Sequence, residues 1–415
     1  MESKRNILII VQNLPVPFDR RVWQEATSLR KAGFGVAVIC PKKKIYTKGY
    51  ERIDGVDIYR YALPYEANDG VVGYFVEFVY CWLASLFLAL TIYLHKPFHA
   101  IHACNPPDTY FALAMLFRPL GVRFVFDHHD LCPEMYVAKG GKAGGILHRT
   151  LSALERLTLR SAHTVIAVNE SHRHIALRRG GIDSNRVTVV RSGPPRAWAD
   201  LRTADLSLKC GRKYLVVYLG EMCQQDGVHH LIHAIRHYAD NYPKDTRFAL
   251  IGGGPDQQHM KELAEHLGLE DWVHFTGRVP DEVLWQYLAT ADVCVDPDPY
   301  TEWSNLSTMN KMIEYLAFSR PVVAFDLTEH RRTASDAAIY VVPNEHEKLS
   351  IAARDLLTDE ERRSQMGNRG RQRFLSELAW EEAEKQLIAL YSALLGIDAK
   401  SETPIVEKRT NPSFS

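Results

Sequence analysis

Residues 213–254 read KYLVVYLGEMCQQDGVHHLIHAIRHYADNYPKDTRFALIGGG. The run from Tyr214 to Leu219 is apolar and ends at Gly220, the composition of a strand buried on both faces. Val228, Leu231, Ile232 and Ile235 then recur at helical spacing behind Asp226 and Gly227. A second apolar run, Phe248 to Ile251, closes on three glycines. Strand, helix, strand in this order predicts a crossover unit and a parallel sheet. The same order opens the chain: RNILIIVQN (5–13), a helix within FDRRVWQEATSLRKAGF (18–34) with Asp19 as its cap and Gly33 as its stop, then GVAVIC (35–40). The chain therefore reads as an α/β protein of two Rossmann-like domains.

A length of 415 residues fits two domains of that kind. The break falls in RSGPPRAWADLRTADLSLKCGRK (191–213), where prolines and polar residues interrupt the pattern. This places one domain at 1–198 and a second at 199–374. A last helix at 375–396 and a disordered tail at 397–415 follow. With 46% hydrophobic and 24% charged residues the composition is that of a globular protein. The zero formal charge hides an asymmetry: residues 1–200 hold 26 Lys and Arg against 17 Asp and Glu, and the remainder 24 against 33. A basic first half favours an anionic acceptor or an acidic membrane surface. The seven cysteines are scattered without close pairs and read as reduced thiols. MESKRNILII runs straight into a strand, so the expected location is cytoplasmic.

One segment departs from the pattern. Phe78 to Leu94, FVYCWLASLFLALTIYL, is uncharged over its whole length. It fits a helix packed in the first domain, a helix partly embedded at a membrane interface, or a span. The basic loop PKKKIYTKGYER (41–52), with Lys42, Lys43, Lys44, Lys48 and Arg52, either meets anionic headgroups or is simply solvated.

In doubly wound sheets ligands meet the carboxyl ends of strands. After HAIHACN come Pro106, Pro107 and Asp108, and after VRFVFD come His128, His129, Asp130 and Cys132. Adjacent His and Asp at a strand end can orient a polar substrate or move a proton; the same group could hold a metal, although no second ligand cluster has suitable spacing. Gly252, Gly253 and Gly254 permit close backbone approach to a ligand, or serve a tight turn. Gly277 and Arg278 end a further strand. STMNKMIEYLAFSRPVVAFD (307–326) puts Lys311 at the start of a helix, where unpaired N–H groups favour an anion and a cation is out of place. Asn310, Lys311 and Glu314 share one helical face. Either an anion binds there, or Lys311 and Glu314 form a surface pair. Neither half carries G-x-G-x-x-G after its first strand, and no G-x-x-x-x-G-K-[ST] is present, which argues against dehydrogenase and P-loop functions.

Together FDHHDLCPEMY, SAHTVIAVNESHRHIA, VVRSGPP, YLGEMCQQDGVHHLI, FTGRVP and STMNKMIEYLAFSRPVVAFD resemble the retaining GT-B glycosyltransferases of the family 4 type, over residues 5 to 395. The resemblance implies two Rossmann-like domains facing a cleft, with the C-terminal helix crossing back to the first. It implies a nucleotide-diphosphate sugar as donor and a glycan or lipid-linked acceptor, as in surface polysaccharide assembly. By this likeness Glu314 binds the ribose, Lys311 the diphosphate, the Gly277, Arg278 and Val279 backbone the base, with Gly252, Gly253 and Asn310 near the nucleotide; His129 and Asp130 face the transferred sugar. The family commonly has a Glu eight residues before Glu314, where this chain has Leu306, so that contact is either absent or supplied by a neighbour, Glu302, Asn305, Ser307 or Thr308. Glu221 and Asp226 stand where Arg and Lys are usual. Retention proceeds by front-face attack with the diphosphate taking the acceptor's proton, and neither metal nor other cofactor is called for. Nucleic acid is not an expected partner, and residues 78–94 either pack in the first domain or touch the cytoplasmic face of a membrane. A nucleotide-sugar epimerase and a non-catalytic nucleotide-sugar-binding scaffold are the competing readings.

Overall fold

The computed structural model describes residues 5–43, 45–64, 71–201 and 203–396. Lys44 and the expected tail, 397–415, lie outside the described residues. The described chain divides into two compact units: residues up to 192 together with 383–396, and residues 193–382.

The first unit holds β1 (Asn6–Ile10), β2 (Gly35–Pro41), β3 (Tyr50–Ile53), β4 (Val56–Tyr61), β5 (Ala100–Cys104), β6 (Arg123–His128), β7 (Thr164–Ala167) and β8 (Val187–Val189). They form one sheet in the order β3-β4-β2-β1-β5-β6-β7-β8. Only β3 runs antiparallel to its neighbour. Ile7 to Ile10 on β1 are all fully buried, because helices cover both faces of a central parallel strand. The helix after β1, Arg20–Lys31, starts where the sequence placed its cap: the Asp19 carboxylate accepts from the Val22 N–H at 3.1 Å.

The second unit holds β9 (Tyr214–Leu219), β10 (Thr246–Ile251), β11 (Val273–Gly277), β12 (Val293–Asp296), β13 (Val322–Phe325) and β14 (Ala338–Val341), all parallel, in the order β11-β10-β9-β12-β13-β14. Alternate residues feed two cores. Leu215, Val217, Ala249 and Ile251 pack with Met312, Ile313 and Leu316, while Tyr214, Val216, Tyr218, Phe248 and Leu250 pack with Leu231, Ile232 and Ile235. The strand order reverses between β1 and β5 in one unit and between β9 and β12 in the other, so ligands are expected beyond the ends of those strands.

The apolar segment is a helix of 25 residues, Val71–His95, longer than the sequence suggested. Cys81, Ser85, Ala89 and Ile92, spaced one helical turn apart, are buried against the first unit. Phe75, Val79, Leu83, Phe87, Leu90 and Leu94 are exposed, Phe87 at 70% and Leu94 at 83%. Among the described residues this helix alone is long and apolar enough to cross a membrane, and only 22% of its most apolar window is buried. The expected last helix is interrupted. Glu360–Arg373 runs into a π-helical turn, Phe374–Leu378, Ala379 is extended, and a new helix spans Trp380–Leu395. Phe374 and Leu378 are buried in the second unit, whereas Tyr391, further along, is buried in the first.

Candidate functional site

In the second unit three strand-end loops are laced together by backbone hydrogen bonds. Gly220 N–H donates to Ile251 O, Met222 N–H to Gly253 O and Gly252 N–H to Gly277 O, at 2.9–3.0 Å. A Cβ on Gly252, whose φ is +126°, would lie 1.9 Å from Gly220 O, and one on Gly254 would lie 2.5 Å from Met222 O. Two of the three glycines are therefore required by loop packing. A Cβ on Gly253 or Gly277 would meet only the flexible Gln257 side chain, at an ordinary contact of 3.6 and 3.8 Å, although Gly277 at φ +67° holds a left-handed turn. Arg278 is exposed and Val279 packs partly against the core.

Lys311 occupies the second position of the helix Asn310–Ala317. Its ammonium turns inward, 2.5 Å from Asp298 Oδ1, 3.1 Å from Asp296 Oδ1 and 5.1 Å above the Tyr218 ring, and the side chain is only 8% exposed. The cation at a helix N-terminus is accounted for by two aspartates at the end of β12, which outweigh the unfavourable dipole. Burial opposes ionisation throughout the group. Asp296 is nevertheless held below the usual carboxylate range by Lys311 and His330, while burial and the charge of Asp296 push Asp298 up. His330 Nδ1 donates to the Phe325 carbonyl at 2.9 Å and its Nε2 faces Asp296 at 3.4 Å. Glu314 is half-buried on the same helix and Asn310 is exposed.

Three of the four candidates for the missing Glu have local partners. Asn305 Oδ1 accepts from the Thr328 N–H at 2.8 Å, at the first turn of the later helix Thr328–Ala334. Ser307 Oγ donates to Trp303 O at 2.8 Å, and Thr308 Oγ1 to Glu329 Oε2 at 3.3 Å. Glu302 is exposed, in the first turn of Glu302–Leu306.

In the first unit, Asn105 organises the loop that carries His129 and Asp130. Its Oδ1 accepts from the N–H groups of both, at 2.6 and 3.0 Å, and its Nδ2 donates to Asp130 O and Asp108 Oδ1. Beneath that loop lies a buried cluster that sequence reading missed. Asp127 Oδ2 contacts His129 Nε2 and lies 3.1 Å from His102 Nε2, while its Oδ1 accepts from Arg21 at 3.0 Å. Arg21 also pairs with Glu25 at 3.0 Å and donates to Val190 O and Ser192 Oγ. His102 Nδ1 meets the Tyr391 hydroxyl at 2.8 Å. Burial, reinforced by Asp127, pushes the Glu25 carboxyl well up; burial works against Asp127 too, yet Arg21 and His129 hold it well below its ordinary range. One signal was visible: Glu25 interrupts the apolar stripe Val22, Ala26, Leu29 of its helix.

Two groups of side chains among the described residues lie close enough to share a cation: Glu25, His102, Cys104 and Asp127, and Asp296, Asp298 and His330. In each a cationic side chain already stands among the carboxylates, Arg21 in the first and Lys311 in the second. His128 and His129 do not converge, because His128 turns to Glu155 at 3.3 Å and His129 to Asp127.

Residues 19–193 match the family described as glycosyl transferase 4-like domain, and residues 213–359 the glycosyl transferases group 1. The alpha-maltose-1-phosphate synthase of Mycolicibacterium smegmatis is 28% identical over 296 residues, covering 65% of this chain and 73% of that protein. The same organism's GDP-mannose-dependent alpha-(1-6)-phosphatidylinositol monomannoside mannosyltransferase is 31% identical over 187 residues, covering 44% of this chain and 48% of that protein. The solved sucrose-phosphate synthase of Thermosynechococcus elongatus shares the fold, with a TM-score of 0.76 at 20% identity over 95% of this chain and all of that one. With a parallel sheet in each unit and a glycosyltransferase match in each half, the chain belongs to the GT-B glycosyltransferases of the family 4 type.

Proposed function

We propose that this enzyme moves a sugar from a nucleotide-diphosphate donor to a glycan or lipid-linked acceptor, with retention of anomeric configuration and no need of a metal. The observation that carries this reading is the family match in both units, supported by a relative whose name specifies GDP-mannose and a phosphatidylinositol acceptor. In this reading the second unit takes the nucleotide. Glu314 binds the ribose hydroxyls, the backbone of Gly277, Arg278 and Val279 meets the base, and Gly253 leaves room for the nucleotide beside them. The diphosphate meets Arg278 and the backbone N–H groups of Asn310 and Lys311 at the start of Asn310–Ala317, with the Asn310 side chain beside them. Lys311 acts on that phosphate indirectly, by anchoring the turn to Asp296 and Asp298. Glu302 is the exposed carboxylate able to reach a donor-sugar hydroxyl, and His129 with Asp130 faces the transferred sugar from the first unit.

The acceptor's proton passes to the departing diphosphate as the new glycosidic bond forms on the same face. The protein's share is electrostatic, and single preorganised donors in such sites contribute roughly a hundredfold in rate. The exposed face of Val71–His95 rests on a membrane that carries the acceptor. Incubation with a panel of nucleotide sugars and glycan or lipid-linked acceptors, read by NMR of the anomeric proton with and without chelator, is expected to give free nucleotide and a retained product. Binding of nucleotide without turnover across the panel would make the chain a scaffold instead. For the membrane contact, F87S/L94S is expected to lose most vesicle flotation, about 1.5–3 kcal/mol per side chain.

A further inference from the structure

We propose that Asp127, held in place by Arg21, is a positioning residue which fixes His129 in one tautomer, with the proton on Nε2 and a lone pair on Nδ1 turned to a hydroxyl of the bound sugar. This rests on the reading that His129 faces the transferred sugar. The argument starts from one nitrogen with two neighbours. His129 Nε2 contacts Asp127 Oδ2 and also lies 2.9 Å from Arg21 Nε. A ring nitrogen that donates to the first cannot accept from the second. The closer contact decides: a lone pair on Nε2 would face the Asp127 carboxylate there, and the bond from the Arg21 guanidinium, charge-assisted as well, is the longer of the two. Arg21 does not depend on the ring: its Nη1 donates to Val190 O and Ser192 Oγ, and its Nη2 to Asp127 Oδ1.

The remaining groups hold the carboxylate in place. His102 Nε2 lies 3.1 Å from the same Asp127 oxygen, its ring fixed from behind by Tyr391 of the C-terminal helix. Glu25 shares Arg21, and Cys104 Sγ lies 3.9 Å from Asp127 Oδ2. Asp127 is wholly buried, whereas the His129 side chain is 17% exposed, and the backbone N–H groups of His129 and Asp130 are pinned by Asn105. Among the described residues no hydrogen bond engages Nδ1. A buried acid behind a part-exposed imidazole leaves the outward nitrogen as a hydrogen-bond acceptor, the relation by which a buried Asp orients a catalytic His elsewhere. The ligand that suits it is a sugar hydroxyl, which brings its own proton.

The test combines nitrogen NMR of histidine-labelled full-length protein, with His129 assigned by its loss in H129N, and kinetics of single and double variants. Expected are the Nε2–H tautomer in the native protein and its loss in D127N. D127N should lower kcat about a hundredfold at a donor KM within about threefold, with no further loss in D127N/H129A beyond H129A alone. An Nδ1–H tautomer in the native protein, or losses that multiply in the double variant, would overturn the proposal. R21K, which keeps the charge, gives a second reading if D127N fails to fold: a native-like tautomer supports the proposal and an altered ring proton with Asp127 intact opposes it. If H129A keeps full turnover, the sugar-facing reading itself falls, whatever the tautomer.

Discussion

Each unit places a buried cation among carboxylates at the end of a strand near its topological switch, and the two clusters differ in what they leave open. Around Arg21, the carboxylates Asp127 and Glu25 and the rings of His102 and His129 make a network whose outermost member is part-exposed. Around Lys311, Asp296, Asp298 and His330 are each at most 1% exposed, and Lys311 itself is 8% exposed. The same electrostatic solution, a cation neutralising two strand-end acids, therefore serves two ends. One presents a ring at the surface of its unit; the other ties the first turn of a helix to its sheet. A titratable cluster is a candidate for chemistry when one member reaches outward, and a strut when none does.

The largest effect expected tests the strut. K311M leaves two buried aspartates without their cation, and losing one partner of such a group costs roughly 3–5 kcal/mol in urea unfolding. The triple variant D296N/D298N/K311M should recover most of that loss. If K311M keeps native stability and loses only nucleotide affinity, the lysine is a phosphate ligand and the contrast between the clusters disappears. R21M is expected to cost less, about 2–3 kcal/mol, because Asp127 keeps its contacts with the His102 and His129 rings, whereas Asp298 loses the ammonium that neutralises it. It should also lower turnover. Equal stability losses in the two variants would mean that the outward imidazole contributes nothing to charge balance.

E314Q separates anchoring from binding on a single helix. Loss of a carboxylate that accepts from ribose hydroxyls is expected to weaken nucleoside diphosphate binding about tenfold in calorimetry, near 1.5 kcal/mol, with unfolding unchanged. A drop in stability with affinity intact would place Glu314 in the structural part instead.

The sheets, their crossover helices and the Asp19 cap were legible because each is a local pattern: apolar runs, helical spacing, a capping side chain. The clusters were less so. Lys311 was noticed as out of place, but its partners sit 13 and 15 residues earlier, at the end of another strand, and only the parallel register of β12 and β13 brings that strand end beside the helix. Asp127 stood inside FDHHD, yet nothing local distinguishes the buried acid from its half-buried loop neighbour Asp130. The glycines of 252–254 fit either close approach to a ligand or a tight turn, and Gly220 O against Gly252 and Met222 O against Gly254 show that two of them answer to backbone. The length of the last helix misled because Ala379 breaks it without a glycine or proline.

Acid offers the mildest test, and it falls on the second unit. His229, His230 and His233 lie on the first turns of Val228–Asn241, with His346 stacked near His233 at 5.4 Å and the His230 ring 5.7 Å from Phe325. Burial, then the proximity of His229, lowers His230 to about 4. The unfolded chain, with an ordinary imidazole near 6.5, thus binds more protons than the folded one between those values, so stability falls as pH drops from about 6.5 to about 4 and is untouched above. Because the ring is only half-buried, solvent screening reduces the contribution to about 1 kcal/mol. H230Q should flatten the pH dependence of unfolding by that amount while leaving the neutral-pH value within about 0.5 kcal/mol. An unchanged acid slope in H230Q would move the sensitivity to other rings that burial lowers, His229 and His233 on the same helix or His102 in the first unit, where protonation would disturb the Asp127 cluster.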